Sequence, residues 1–416
     1  MVRGRREMQM VYKFRLYPTS EQEQSLLFVM EVCRWIYNHF LSIWNGVTKI
    51  PSRHDLQATL PELKKDHPNL KKVNSKILQM VLFMLYNNLK ALRELKKNGR
   101  KVGRLRYKKY GRFKSFILNQ SGFKVKTTGN ALDKLYVSKV GDIPIKLHQK
   151  IDGVIKQVII KKYKSGEWYA LICTEKDAQH KIQTPRSFIG LDMGLLHFLT
   201  DNMGIQIENP KFYKQTLKRI KIEQRRLSRK KKGSKNCLNQ KLKLNKLYNK
   251  LTNQRDDFLH KLSRYYVDTY DLISIEALNI PNMVRNHNLS QSILDSSWSK
   301  FFYILSYKAE SAGKILIKVD PKNTSKECSI CGNIKDMPLS DRVYNCSECG
   351  IIIDRDMNAA INILKRGIMR QGLPSTLPEI APLQNLFQVS ASSIVEGRSP
   401  FPLGRGSSLK YRVPFF

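Results

Sequence analysis

The sequence predicts a multidomain protein of mixed α+β and α/β class, and three observations lead there. A strand-like segment near the start, residues 11–17, is followed by a long stretch with helical apolar spacing, and short β-rich segments return from Gly111. Further on, apolar strands run into acidic residues, as at Gly190-Leu191-Asp192 and Ile273-Ser274-Ile275-Glu276. Late in the chain, two Cys-x-x-Cys pairs sit between a strand and a helix.

Composition narrows the function classes. In 416 residues there is room for several domains with sizeable cores. Lys and Arg number 74 against 34 Asp and Glu, a net charge of +40 that exceeds any need of solubility and points to a polyanionic partner. A hydrophobic content of 41% with regular periodicity argues against a disordered basic chain. No apolar run reaches the length of a membrane span, and the opening MVRGRREMQMVYKF lacks the apolar core of a signal peptide. The expectation is a chain that works inside a cell, away from the membrane, on nucleic acid.

Taken in order, Val11-Tyr12-Lys13-Phe14-Arg15-Leu16-Tyr17 alternates as a strand and stops at Pro18. Ser20 and Glu23 read as a capping box, and Leu26, Met30, Cys33, Tyr37, Phe40 and Trp44 mark the buried stripe of a helix ending at Asn45-Gly46. A second helix from Asn74 to Lys97 turns Ile77, Val81, Leu85, Leu89 and Leu92 inward. Residues 19–110 thus form a helical domain inserted into a β-domain made of 1–18 and 111–185. Within the latter, Ser165-Gly166 joins two strands as a hairpin. Arg104, Arg106, Tyr107, Lys108, Lys109, Tyr110, Arg112, Phe113 and Phe116 interleave cations with aromatics, a combination that offers phosphate contacts and stacking platforms.

From Ser187 the pattern resembles the opening of an RNase H-like sheet: a strand to Asp192, a second at Phe198-Leu199-Thr200, a turn, and a third at Ile205-Gln206-Ile207. Residues 218–235, KRIKIEQRRLSRKKKGSK, are read as a polyanion-facing segment. Leu244, Leu247, Leu251, Phe258 and Leu262 then mark a long helix, followed by the strand ending in Glu276. The Ser-, Pro- and Gly-containing residues 367–416 are expected to be largely disordered.

Cys328 and Cys331 are separated by fourteen residues from Cys346 and Cys349, and each pair is followed by glycine, Gly332 or Gly350. Four thiolates on two such knuckles make a closed tetrahedral zinc site; disulfides are disfavoured because nothing indicates secretion. Directly after it comes Asp354-Arg355-Asp356-Met357-Asn358-Ala359-Ala360, which opens a helix.

Asp192, Glu276 and Asp356 form a set when their order along the RNase H-like pattern is considered. Each alone is an ordinary turn or cap residue. Together their charges would repel unless cations neutralise them, and all-oxygen ligands suit two Mg²⁺ or Mn²⁺ ions. Such a pair can activate a water and stabilise the leaving oxygen of a phosphodiester. Asp354 is the alternative to Asp356, which is preferred because Asn358 and the two alanines mark it as the start of a helix packed on the sheet.

The motifs YKFRLYPTSEQE, GLDMG, IEALNI, PKNTSKECSICG, LSDRVYNCSECG and DRDMNAAINI, in this order, resemble those of TnpB, a family of insertion-sequence-encoded RNA-guided nucleases related to the type V CRISPR effectors. The resemblance covers residues 10 to 370. It implies a wedge β-barrel, a helical recognition domain, and a RuvC-like nuclease domain (186–321 and 351–366) interrupted by a zinc ribbon at 322–350. It implies Asp192, Glu276 and Asp356 as the catalytic triad, the four cysteines as zinc ligands, and Arg342 as an arginine beside the active site. The implied partners are a guide RNA from the transposon end, one chain per RNA, and double-stranded DNA carrying a short adjacent motif. The setting would be a prokaryotic cytoplasm, at the nucleoid when on DNA. Motif reading falls between the helical and wedge domains, where Ser75, Lys76 and Gln79 are the candidates, since Lys and Gln suit purine edges.

Two other classes fit the sequence less well. A DNA-binding regulator would resemble relatives that have lost the triad, which is intact here. A cut-and-paste transposase would need neither the four cysteines nor so large a basic surface.

Overall fold

The protein is described here by a computed structural model covering residues 7–46, 50–177, 184–338, 340–373 and 387–389. It divides at Asp177 into two compact units.

The N-terminal unit begins with strand β1 (Glu7–Leu16), which Pro18 ends, and helix α1 (Ser20–Asn45). Short helices α2 (Arg53–Ala58) and α3 (Leu60–Asp66) lead to α4 (Ser75–Lys97). Six strands follow: β2 (Ser115–Asn119), β3 (Phe123–Lys126), β4 (Asp133–Val137), β5 (Gly141–Lys146), β6 (Val154–Lys162) and β7 (Trp168–Asp177). They join β1 in one antiparallel, nearly closed sheet of order β2-β6-β7-β1-β5-β4-β3. The helices are therefore an insertion in the chain between β1 and the later strands, which close around β1 on both sides: Leu16 pairs with both Trp168 of β7 and Ile145 of β5. Alternation on β1 buries Phe14 and Leu16 in a core shared with the inner faces of α1 and α4, from Leu26 to Trp44 and from Ile77 to Leu85.

Two expectations change in this unit. The cap of α1 is Thr19, one residue earlier than read: its hydroxyl accepts from the Gln22 amide at 3.3 Å, and the Gln22 side chain accepts from the Thr19 amide at 3.1 Å. Glu23 is drawn instead to the β6–β7 hairpin, where it meets Lys162 Nζ at 2.6 Å and Trp168 Nε1 at 3.2 Å. The second change concerns Phe116. Strand pairing of β2 with β6 points Phe116 and Leu118 inward, so Phe116 is only 2% exposed and, with buried Phe113, cannot serve as a stacking platform. Tyr107 and Tyr110 are 53% and 83% exposed and keep that possibility.

The C-terminal unit opens with β8 (Phe188–Asp192), β9 (His197–Asp201) and β10 (Ile205–Glu208), an antiparallel meander. Helices α5 (Phe212–Ser228) and α6 (Lys235–Thr269) form a hairpin around Ile220, Leu244, Leu247 and Leu251. Strand β11 (Leu272–Glu276) then runs parallel to β8. Helices α7 (Ile280–Met283), α8 (His287–Ser296) and α9 (Trp298–Ser311) precede β12 (Ile315–Val319), which is parallel to β11. After the cysteine segment, with its small hairpin β13 (Val343–Asn345) and β14 (Ile352–Asp354), comes α10 (Arg355–Arg370). The sheet order β12-β11-β8-β9-β10, a meander extended by two parallel strands, is RNase H-like.

Strand alternation assigns the faces of this sheet. Ile189, Leu191, Ile273 and Ile275 pack with Phe258, Leu262, Tyr266 and Phe301 of α6 and α9. The residues between them, Gly190 and Ser274, face α10, and so do Asp192 and Glu276 at the strand ends.

The disorder expected from residue 367 does not hold for 367–370, which belong to α10, or for Phe387–Val389, which form β15, parallel to β10. The rest of that expectation lies outside the described residues. Among the described residues no helix is long and apolar enough to cross a membrane.

Candidate active site and metal centre

Three carboxylates meet at one end of the C-terminal sheet. In the register of β8 with β11, Gly190 is opposite Ser274 and Leu191 opposite Ile275, so the next pair along is Asp192 and Glu276. Helix α10 brings the third. A Cβ built on Gly190 would lie 2.2 Å from the Ala360 carbonyl oxygen, so only glycine lets α10 rest on the strand at that point. Asp356 is one helical turn before Ala360, as Asp192 is two residues beyond Gly190. A Cβ on Gly194, in the loop after β8, would stand 4.0 Å from Asp356 Oδ2.

The electrostatics agree with this placement. Burial holds the Asp192 carboxyl well above the usual carboxylate range, and the charges of Glu276 and Asp356 push it further up, while the Met193 amide and Arg355 pull the other way. Glu276, 7% exposed, is also raised by burial, opposed by a hydrogen bond from Thr324 and by the charge of Arg366. Asp356 is raised by burial and by Asp354, and lowered by Arg342, His197 and Arg355. Three buried carboxyl groups, with Asp192 raised by the charges of the other two, form an all-oxygen set suited to a hard divalent cation, which would offset their burial and repulsion.

Asp354 has a different position. It is the N-cap of α10, its carboxylate accepting from the Met357 amide at 3.0 Å. Arg355, which the sequence did not single out, is buried and donates to the carbonyls of Pro338 at 2.6 Å and Asp341 at 3.2 Å, and to Ser325 Oγ at 3.4 Å. Arg342 is exposed, and its carbonyl accepts from the Arg355 amide at 2.8 Å.

The four cysteines converge, their sulfurs all within 4.8 Å of one another. Cys328 and Cys349 are 3.6 Å apart and Cys331 and Cys346 3.5 Å, far beyond a disulfide bond of about 2.05 Å. A tetrahedral zinc with bonds of about 2.3 Å would space its sulfurs by roughly 3.8 Å. The cluster therefore fits a zinc ribbon. The two knuckles match: Gly332 donates to the Cys328 carbonyl at 3.0 Å and Gly350 to the Cys346 carbonyl at 3.1 Å, with positive φ of 78° and 71°. Amides of Cys349 and Glu348 aimed at the Cys346 sulfur pull that thiol down to about 6.

Helix α10 ties the ribbon to the sheet. Buried Asn358 accepts from the Ser329 amide at 2.9 Å and donates to the Glu327 carbonyl at 2.8 Å. Asn362 donates to the carbonyls of Thr324 and Glu327 at 2.9 and 2.7 Å, and Arg366 pairs with Glu327 at 2.5 Å. The motif DRDMNAAINI thus contains a cap, a clamp, a carboxylate and a ribbon anchor within two turns.

In the N-terminal unit, Ser75 is exposed at the start of α4, its hydroxyl accepting from Lys64 Nζ at 2.5 Å, while Lys76 and Gln79 are half-buried. The Tyr107 hydroxyl accepts from Asn45 at 3.1 Å.

A protein of Streptomyces pristinaespiralis described as "Putative RNA-guided DNA endonuclease" is 30% identical over 381 residues, covering 87% of this chain and 90% of the relative. This chain belongs to the TnpB family. An Escherichia coli K12 relative of the TnpB chain, "Putative RNA-guided DNA endonuclease InsQ", is 28% identical over 86% of this chain and 92% of its own length. Family descriptions match three segments: "Probable transposase" at residues 171–287, "Cas12f1-like, TNB domain" at 298–363, and "Helix-turn-helix domain" at 8–48. In this TnpB chain the last segment is β1 followed by the single helix α1. The fold is similar to that of the protein in the "Cryo-EM structure of the Cas12f1-sgRNA-target DNA complex", with a TM-score of 0.56 and 14% identity over 86% of this chain and 98% of the other.

Proposed function

We propose that this TnpB-family chain is an RNA-guided DNA endonuclease that cuts matching double-stranded DNA beside a short adjacent motif. The observation that carries the reading is the carboxylate set of Asp192, Glu276 and Asp356 at the end of an RNase H-like sheet, in a chain whose family relatives are described as RNA-guided DNA endonucleases. Asp192, Glu276 and Asp356 would hold two Mg²⁺ or Mn²⁺ ions. When bound, these ions supply charge neutralisation and an activated water for phosphodiester hydrolysis.

The chain's own residues do the rest. Asp354 starts α10 and so fixes where Asp356 begins. Arg355 clamps the carbonyls of Pro338 and Asp341 and adds a buried positive charge to the site, and exposed Arg342 is suited to a phosphate of the DNA strand. The four cysteines hold one structural zinc, and their ribbon (322–350) interrupts the nuclease domain (186–321 and 351–366). The β-sheet of 1–18 and 111–185 and the helices of 19–110 take the guide RNA and the DNA next to the motif, with Ser75, Lys76, Gln79 and Tyr107 as contact residues. Phe116 is core and makes no such contact. A net charge of +40 suits one structured RNA per chain, and the complex would act in the prokaryotic cytoplasm, at the nucleoid when bound to DNA.

The test exchanges the guide segment of the RNA and leaves the protein untouched. Cleavage in Mg²⁺ should move to the duplex that matches the new guide; cleavage that stays on the old sequence rejects RNA guidance.

A further inference from the structure

We propose that Thr324 is a positioning residue for Glu276, and that it makes the strength of cation binding at the carboxylates depend on a hydroxyl supplied from the root of the ribbon. The inference rests on the assignment of Glu276 as a cation ligand made above.

Thr324 lies between β12 and the first knuckle, four residues before Cys328, and is 4% exposed. Its hydroxyl reaches Glu276 Oε1 at 2.6 Å. The same oxygen is 3.1 Å from the Pro321 carbonyl. A threonine hydroxyl has one proton to give, and the shorter contact to a carboxylate is the one in the charge-assisted range. The proton therefore goes to Glu276. That bond fixes the end of a side chain with three rotatable torsions, and so the direction in which the carboxylate's remaining lone pairs face a cation.

The hydroxyl is itself held from α10. Asn362 donates to the Thr324 carbonyl at 2.9 Å, and Arg366 donates to the carbonyls of Asp320 at 2.8 Å and Lys322 at 2.7 Å, on the segment leading to it. The helix that carries Asp356 at its start thus also sets, through its third turn, the residue that orients Glu276. Two of the three carboxylates are placed by one rigid body, and the ribbon root is the piece between them. A buried partner that fixes a ligand's orientation typically changes metal affinity by about 10- to 100-fold when removed.

The experiment compares the full-length, zinc-loaded chain with Thr324→Val, which keeps the shape and removes the hydroxyl, and Thr324→Ser, which keeps the hydroxyl. Mn²⁺ binding is followed by electron paramagnetic resonance, with Asp192→Ala as the reference for binding elsewhere on the chain. Guided cleavage is titrated with Mg²⁺ in parallel, and zinc content is measured for each variant. The valine variant should weaken Mn²⁺ binding about tenfold or more and raise the Mg²⁺ concentration for half-maximal cleavage by a similar factor, with zinc content unchanged. The serine variant should stay within about twofold of the native chain. If the valine side chain lowers the melting temperature markedly, Thr324→Ala, smaller than the native residue, carries the same comparison. Native-like Mn²⁺ binding by the valine or alanine variant, or a serine variant as weak as valine, overturns the proposal. A native chain that binds Mn²⁺ as expected but cuts no guided target would instead reject the endonuclease reading and leave the role of Thr324 at the cation site intact.

Discussion

Gly367 of α10 lies directly on Ser274 of β11: a Cβ built on the glycine would come within 1.8 Å of the serine hydroxyl oxygen and 2.8 Å of its Cβ. Together with Gly190 under Ala360, this contact sets how far α10 stands from the sheet, and hence how far Asp356 stands from Asp192 and Glu276. Gly367→Ala should therefore lift the C-terminal half of the helix, costing about 1–3 kcal/mol of stability and slowing cleavage more than it weakens RNA binding. Adding Ser274→Gly should return much of both. Calorimetry and a cleavage time course check this; a single variant as stable and active as the native chain contradicts the packing argument.

The two aspartates at the start of α10 should separate cleanly by substitution. Asp356→Ala removes a carboxylate from the site and should abolish cleavage while RNA and target binding persist. Asp354→Ala removes a cap and should cost about 1 kcal/mol with cleavage reduced but present. A reversed order of effects in the same cleavage assay would move the ligand to Asp354.

The sulfur spacing leads to a metal-content prediction. Elemental analysis should find one zinc per chain, and Cys328→Ser or Cys349→Ser should lose it. Cleavage should fall with the zinc, because the ribbon root and α10 share the hydrogen bonds of Asn358 and Asn362. Full zinc in both variants would reject the site.

Asp201 gives a dependence on pH that is independent of the cation site. Its carboxylate is buried, accepting from the amides of Met203 at 2.9 Å and Ile205 at 3.0 Å, and burial pushes it up to about 6. A carboxyl whose folded value lies above its unfolded value of about 4 binds more protons in the folded state. Its contribution to stability is thus largest below about pH 4, shrinks as pH rises towards 6, and is constant beyond. Asp201→Asn keeps an acceptor for the two amides and should flatten that part of the profile, gaining at most about 3 kcal/mol above pH 7. Melting temperatures of both forms between pH 4 and 8 test it; parallel profiles would show that Asp201 does not titrate in this window.

Much of this architecture was legible because its signals are local. The alternation of residues 11–17, the stripe from Leu26 to Trp44, the Asp- and Glu-ended strands and the paired cysteines each depend on neighbours within one or two turns. Sequence and structure part where a distant partner decides. Glu23 looked like a capping residue until the β6–β7 hairpin supplied Lys162 and Trp168 as competitors. Phe116 looked like a stacking platform in a basic stretch until pairing with β6 fixed its face. The small residues Gly190 and Gly367 announce nothing in a strand or a helix alone, since what they permit is the approach of the other. Arg355 and Thr324 were hidden for a related reason: a buried arginine satisfied by carbonyls and a threonine bonded across 48 residues leave no periodic trace.

The order of the chain also governs when the site can exist during synthesis. Asp192 and Glu276 emerge from the ribosome well before Asp356, and α10, which must lie across both strands, follows the ribbon. A nascent chain can pair β8 with β11 only after α5 and α6 have been made, and it lacks its third carboxylate until the second cysteine pair is already out. Chains that stop between β11 and α10 would therefore carry an acidic pair without the helix that completes it. On the proposed assignment, the carboxylate set is completed only after both cysteine pairs have been made.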